Sequence, residues 1–150
     1  MATIHFEQTT TATPEQFVAA VTDFGPGRSK IFGNSADGYL EVHSKEATHA
    51  DVTEGASGIW ERLSYDWSDP HRVVMKTTDS NAWGRNSGHT YTLTPRDDGT
   101  TAVDVVVVRE GKNLKGRLLQ AVVAVMGKQF LRTDFAKTLR AIEARNTPAG

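Results

Sequence analysis

Residues 113–145 read NLKGRLLQAVVAVMGKQFLRTDFAKTLRAIEAR, and this stretch decides the fold. It contains no proline, its interior glycines are Gly116 and Gly127, and Leu, Ala, Lys, Gln, Arg and Met dominate it. These residues lose little conformational freedom in a helix. The pattern predicts one long C-terminal helix, on the order of 45 Å at about 1.5 Å per residue. Everything before it reads as strands and turns, which need something to wrap.

At 100° per residue this helix has two apolar stripes. Leu118, Leu119, Val122, Val123, Val125, Met126 and Phe130 fall on one broad side, and Leu131, Phe135, Leu139 and Ile142 on nearly the opposite one. A straight helix cannot turn both to one core, and exposed large apolar patches are unusual on a monomer. The expectation is a bend or break within a few residues of Gly127, a usual place for one. Both halves would then meet the core, and Leu118, Val122 and Met126 would touch a ligand. The other branch is a straight helix whose apolar side lies in a dimer contact.

The 150 residues suit one domain spanning 1–150, and three tryptophans within a 38% hydrophobic composition argue for a folded globule. There are no cysteines, which removes disulfides and thiolate chemistry and fits a reducing compartment. Met1-Ala2-Thr3-Ile4-His5 has neither the basic start nor the apolar run of a secretory leader. The run Leu118–Met126 is far short of the ~20 residues that span a bilayer. A cytoplasmic protein without stable membrane insertion is expected. Residues 109–145 hold nine Lys/Arg against Glu110, Asp134 and Glu143, a balance of +6 within a total of −1, which leaves −7 elsewhere. A basic helix beside an acidic sheet reads as internal charge complementarity. Nucleic-acid binding would instead need a basic patch with interleaved aromatics.

Ile4–Thr10 alternates and is Thr-rich, a first strand. Thr13-Pro14-Glu15-Gln16 is a helix start with a capping box, and Phe17, Val21 and Phe24 repeat on one face until Gly25-Pro26-Gly27 ends the helix. Arg28–Phe32 is a candidate second short helix and Asn34–Gly38 a loop. Further strands are expected over Tyr39–Val52, Ile59–Trp67, Arg72–Thr78, Gly88–Thr94 and Thr101–Arg109. Glu54–Gly58, Ser68–His71 and Pro95–Gly99 supply turns, and a loop over Asp79–Ser87 carries Trp83.

Burial fixes the register, because a one-residue slip flips every side chain. Opposing Tyr91 to Val105 sets Leu93 against Val103 and His89 against Val107, and makes that face almost wholly apolar. The preceding hairpin then opposes Tyr65 to Met75 and Trp67 to Val73. One sheet face is lined by Leu63, Tyr65, Trp67, Val73, Met75, His89, Tyr91, Leu93, Val103, Val105 and Val107, and the long helix would lie there.

This order of elements resembles the START-like superfamily, also called SRPBCC or polyketide cyclase/dehydrase-like, which includes the birch pollen allergen. The resemblance covers nearly the whole chain. Its carriers are Thr13-Pro14-Glu15-Gln16-Phe17, Ser57-Gly58-Ile59-Trp60-Glu61, Trp67-Ser68-Asp69-Pro70-His71-Arg72-Val73 and the terminal helix. It implies an α+β helix-grip fold: a curved antiparallel sheet of six or seven strands around the C-terminal helix, with two short helices after the first strand. It also implies a cavity for a lipid, sterol, polyketide or other apolar molecule. Some members are aromatases or cyclases, and some assist the chaperone Hsp90, so fold alone does not decide function.

The five histidines, His5, His43, His49, His71 and His89, are dispersed without metal-ligand spacing, and no phosphate loop, dinucleotide fingerprint or nucleophile elbow is present. Neither metal nor cofactor is expected. His89 and Tyr91 share the cavity face, where they either hydrogen-bond each other or water, or donate to a carbonyl and move a proton. Glu61 has the same parity as Leu63 and Tyr65, and a buried carboxylate needs a partner, for which Arg85 and His89 are candidates. If the chain is an enzyme, His89, Tyr91 and Glu61 carry its chemistry. The candidate ligand-binding set is Leu63, Tyr65, Met75, Trp83, His89, Tyr91, Val105, Val107, Leu118, Val122 and Met126. Lys112, Lys115 and Arg117, which oppose the dipole at the helix start, are candidates for an anionic head group; the plainer reading is a solvated helix end. The leading expectation is a monomer or weak homodimer that binds an apolar or amphipathic small molecule. An aromatase/cyclase-type or hydrolytic enzyme and a protein-interaction module are the alternatives.

Overall fold

The last strand before the long helix, Thr101–Arg109, carries four consecutive valines, whose branched side chains pack well on a pleated surface. In the computed structural model, which describes residues 1–33 and 35–146, it is β7 and sits second in a seven-stranded antiparallel sheet. The elements are β1 (Ala2–Thr10), α1 (Pro14–Val21), β2 (Glu41–Lys45), β3 (His49–Ala56), β4 (Ile59–Asp66), β5 (Arg72–Ser80), β6 (Gly88–Pro95), β7 and α2 (Leu114–Asn146). The sheet order β1-β7-β6-β5-β4-β3-β2 is a meander from β2 to β7, with β1 laid against β7 at the far side. The sheet is curved and α2 lies against it, the α+β helix-grip arrangement. No helix among the described residues is long and apolar enough to cross a membrane.

The register between β6 and β7 is the one burial requires: Tyr91 faces Val105, Leu93 faces Val103 and His89 faces Val107. Tyr65 faces Met75 across β4 and β5. The expected strand Tyr39–Val52 is two strands. β2 and β3 form a hairpin whose turn, Glu46–Thr48, has no glycine or proline to announce it. The expected break at Glu54–Gly58 is narrower, because β3 runs on to Ala56. Ser57 (φ 56°) and Gly58 (φ 81°) make a two-residue loop of left-handed residues that matches the twist of the flanking strands.

Thr13 and Gln16 cap α1 reciprocally: the Gln16 amide donates to Thr13 Oγ1 at 3.1 Å and the Thr13 amide to Gln16 Oε1 at 2.9 Å. The second short helix is a single 3₁₀ turn, Arg28–Lys30, and another, Asp37–Tyr39, spans the end of the expected loop and the first residue of the expected strand; Asn34 lies outside the described residues.

Of the bend or break expected near Gly127, the break is absent, since α2 is one unbroken helix. Its second half enters the core. Phe135 stacks on Tyr91 at 5.5 Å and meets Phe6 and Phe17 edge-on, while Leu139 and Ile142 are buried. Its first half does not bury its large side chains as expected, and Leu118 (63% exposed), Val122, Val125, Met126 and Phe130 face outward. The reason lies in the glycines. A Cβ on Gly127 would stand 2.8 Å from Ile4 Cδ1, and one on Gly116 would run into the Ala82 carbonyl. The helix backbone therefore approaches β1 and the Ser80–Ser87 loop through its glycine side, and an unbroken helix that does so turns Leu118 and Val122 away.

Candidate functional site

Parity along the strands delivers the site. On β4 the inward positions are Glu61, Leu63 and Tyr65; on β7 they run Val103, Val105, Val107 and Arg109; on β3 they include Ala50, Val52 and Glu54. Three charged residues therefore end up on the core side of the sheet, and each is paired. Arg109 Nη1 donates to Glu61 Oε2 at 2.7 Å, and Nη2 reaches His89 Nε2 at 3.0 Å. The Thr77 hydroxyl also donates to Glu61 Oε2, and the Trp83 ring lies 5.0 Å from the Arg109 guanidinium. Glu54 is held by Arg28, whose Nε donates to Oε1 at 2.6 Å, by Ser35 Oγ at 2.8 Å, and by the Tyr65 hydroxyl. Arg28 also donates from Nη1 to the Val21 and Asp23 carbonyls and from Nη2 to the Tyr65 hydroxyl, with its guanidinium against the Phe24 and Phe32 rings.

Two clefts open over these groups. One, of about 160 Å³, is lined by both ion pairs together with Leu63, Tyr65, Met75, Trp83 and Tyr91. The other, of about 130 Å³, lies between sheet and α2 and is more apolar, with His89, Val105, Val107, Phe130, Leu131 and Phe135 on its walls. Phe32 and Tyr91 line both. As they stand, each has the volume of about one aromatic ring; a cavity of roughly 150 Å³ holds benzene.

The electrostatics leave His89 in one state. Burial, reinforced by the Arg109 charge, pushes its pKa down to about 3, against a smaller upward pull from Glu61, so the ring is neutral near pH 7. Arginine can only donate, so His89 Nε2 accepts from Arg109 and the proton sits on Nδ1. That buried Nδ1–H has no partner among the described residues. Burial would raise the Glu61 pKa, but the Arg109 charge and the hydrogen bonds from Arg109 and Thr77 overcome it and hold it below the usual value. Burial pushes the Tyr91 phenol up to about 12.

Of the residues expected at a ligand site, Leu63, Tyr65, Met75, Trp83 and Tyr91 meet at the first cleft, and His89, Tyr91, Val105 and Val107 at the second. Leu118, Val122 and Met126 line neither, because they face outward. Lys112 Nζ is bound to the Ser80 carbonyl and lies 3.5 Å from Asp79, while Lys115 and Arg117 are exposed. The partner of Glu61 is Arg109, not Arg85. Arg109 and Glu54 were within reach of parity, two positions beyond Val107 and Val52. Arg28, after a Gly-Pro-Gly stop, carries no such signal. Among the described residues no group of three or more His, Asp or Glu is placed to hold a metal.

No family model and no curated protein matches the sequence. Solved structures do match. A START superfamily protein from Mycobacterium smegmatis superposes with a TM-score of 0.73 at 10% identity, covering 98% of this chain and 100% of that one. The Zhui aromatase/cyclase from Streptomyces sp. R1128 gives 0.71 at 13% identity, covering 99% and 97%. The Aha1 dimer from Colwellia psychrerythraea gives 0.63 at 12% identity, covering 98% and 100%. The class this defines is structural: the chain has the START-like helix-grip fold. Proteins that share it at these identities differ in what they do.

Proposed function

We propose that this chain binds a mostly apolar molecule through an uncharged oxygen acceptor in the space between sheet and α2: the clefts as they stand hold one ring of it, and a whole lipid, sterol or polyketide-like guest requires Phe32 or α2 to give way. The observation that carries the reading is the His89 Nδ1–H, a buried donor without a partner among the described residues, whose tautomer Arg109 fixes. Leaving such a donor unsatisfied costs about 1–3 kcal/mol, which an acceptor oxygen on a guest would recover. Val105, Val107, Leu131 and Phe135 offer its hydrocarbon an apolar wall. Both buried arginines are already neutralised by carboxylates, so a neutral carbonyl suits the site better than a carboxylate does.

Binding fits the site better than aromatase/cyclase-type turnover. With Nε2 engaged by Arg109, His89 has no lone pair free to take a proton, and Tyr91 remains a phenol at neutral pH. Both groups donate, as a carbonyl site requires.

Acetophenone and ethylbenzene, nearly equal in shape, test this. Acetophenone should bind about tenfold more tightly, a difference of about 1.4 kcal/mol, and its infrared carbonyl band should shift down on binding. His89→Phe should abolish both effects and keep ethylbenzene binding. Equal affinities with an unshifted band would refute the reading.

A further inference from the structure

We infer that the outward face of the first half of α2 is a docking surface for an anionic lipid bilayer. Leu114, Leu118, Val122, Val125, Met126 and Phe130 lie on one side of the helix, between 56% and 84% exposed. At about 1.5 Å per residue they form a ridge roughly 24 Å long. On a soluble monomer a continuous apolar strip of this kind marks an interaction site.

Charge selects the occupant. From Gly111 to Thr133 the chain has five cations, Lys112, Lys115, Arg117, Lys128 and Arg132, and no acidic residue. Lys112 is tied to Asp79 and Ser80; the other four are exposed. A helix with an apolar face and a cationic flank lies in the plane of a bilayer, the apolar side chains in the acyl boundary and the cations among anionic head groups. Outside 109–145 the chain carries −7, so the same surface repels the sheet and orients the molecule helix-down. A second copy is the poorer occupant. Symmetric pairing through this ridge would bring Lys115, which lies within the apolar arc, and Arg132, at its edge, into the contact with their own copies' cations, and like charges across an interface are penalised. A lipid surface also fits the neighbouring cleft, because Phe130 belongs to the ridge and lines the opening between sheet and α2. This last point rests on the proposed binding of an apolar guest; the surface itself does not.

Flotation of the full chain with vesicles tests the inference. Vesicles of equal phosphatidylcholine and phosphatidylglycerol should carry the protein, with about tenfold less on pure phosphatidylcholine. Binding should fall as salt rises from about 0.15 to about 0.5 M, where the screening length drops to a few ångströms. Val122→Glu/Val125→Glu, at exposed positions that leave the melting temperature unchanged, should lose about tenfold or more of the binding, and Lys115→Glu/Lys128→Glu should do the same. Acetophenone binding reports on the cleft separately and should survive in both variants. Three results would overturn the inference: no flotation of the parent chain with anionic vesicles, undiminished flotation of the Val122→Glu/Val125→Glu variant, or light scattering that shows a dimer which the same variant dissociates.

Discussion

A histidine that stays neutral in the folded chain but protonates at ordinary acidity in the unfolded one ties stability to pH. The His89 pKa falls from 6.5 to about 3 on folding, so between these values the unfolded chain holds a proton that the folded chain does not. Stability therefore rises with pH through this window and is lost as pH falls below about 6.5. The His89 contribution at pH 5 is a loss of about 2 kcal/mol relative to pH 7.5. Glu61, also depressed on folding, acts in the same direction but only below the usual carboxylate range, so pH 5 to 7 isolates the histidine. Urea unfolding across that range should show the slope in the parent chain and lose about 2 kcal/mol of it in His89→Gln. A parallel slope in the variant would mean that His89 is accessible to protons. The position of His89 was legible in the sequence, because parity and apolar neighbours put it inside. Its state was not, because that state depends on Arg109, 20 residues away and brought alongside only by the pairing of β6 with β7.

Along one element, glycine does two different jobs. At Gly116 an added Cβ would meet backbone, the Ala82 carbonyl and Gly111 Cα, which cannot give way without moving the loop or the helix start. At Gly127 it would meet the tips of Ile4 and Val123, which can turn aside. Alanine also brings up to about 1 kcal/mol of helix propensity to either site. Gly116→Ala should therefore destabilise by about 1–3 kcal/mol, whereas Gly127→Ala should stay within about 1 kcal/mol of the parent, as thermal melts of both would show. The sequence made α2, the α1 cap and the β6–β7 register readable, because each is a local pattern with one buried solution. It misdirected at Gly127, where the same residue serves a hinge or a close approach and only the partner strand tells which. The β2–β3 turn was hidden for the opposite reason, since Lys45-Glu46-Ala47-Thr48 carries no residue that punctuates a chain.

At the scale of the molecule, Phe32 and Tyr91 divide the space over the sheet into two ring-sized clefts, and Phe32 comes from the irregular stretch after α1. Phe32→Ala should merge the clefts at a cost of about 3 kcal/mol, near the low end for such a truncation because one side of the ring already borders a void. Fluorescence titration should then find tighter binding of a naphthyl ketone and weaker binding of acetophenone; unchanged preference would mean the clefts stay separate. The strand order has a consequence for the chain as it is made. Among the described residues β1 pairs only with β7, about a hundred residues later, and it is also covered by α2, later still. A ribosome adding about 5–20 residues per second keeps β1 waiting on the order of 5–20 s for its partner, while β2 to β6 zip together as they emerge. For that interval the first segment synthesised, alternating Ile4, Phe6 and Gln8 with polar neighbours, is a bare edge of the kind that recruits other strands. Translation speed from the end of β1 through residue 109 thus decides how long each nascent chain must be shielded from its neighbours.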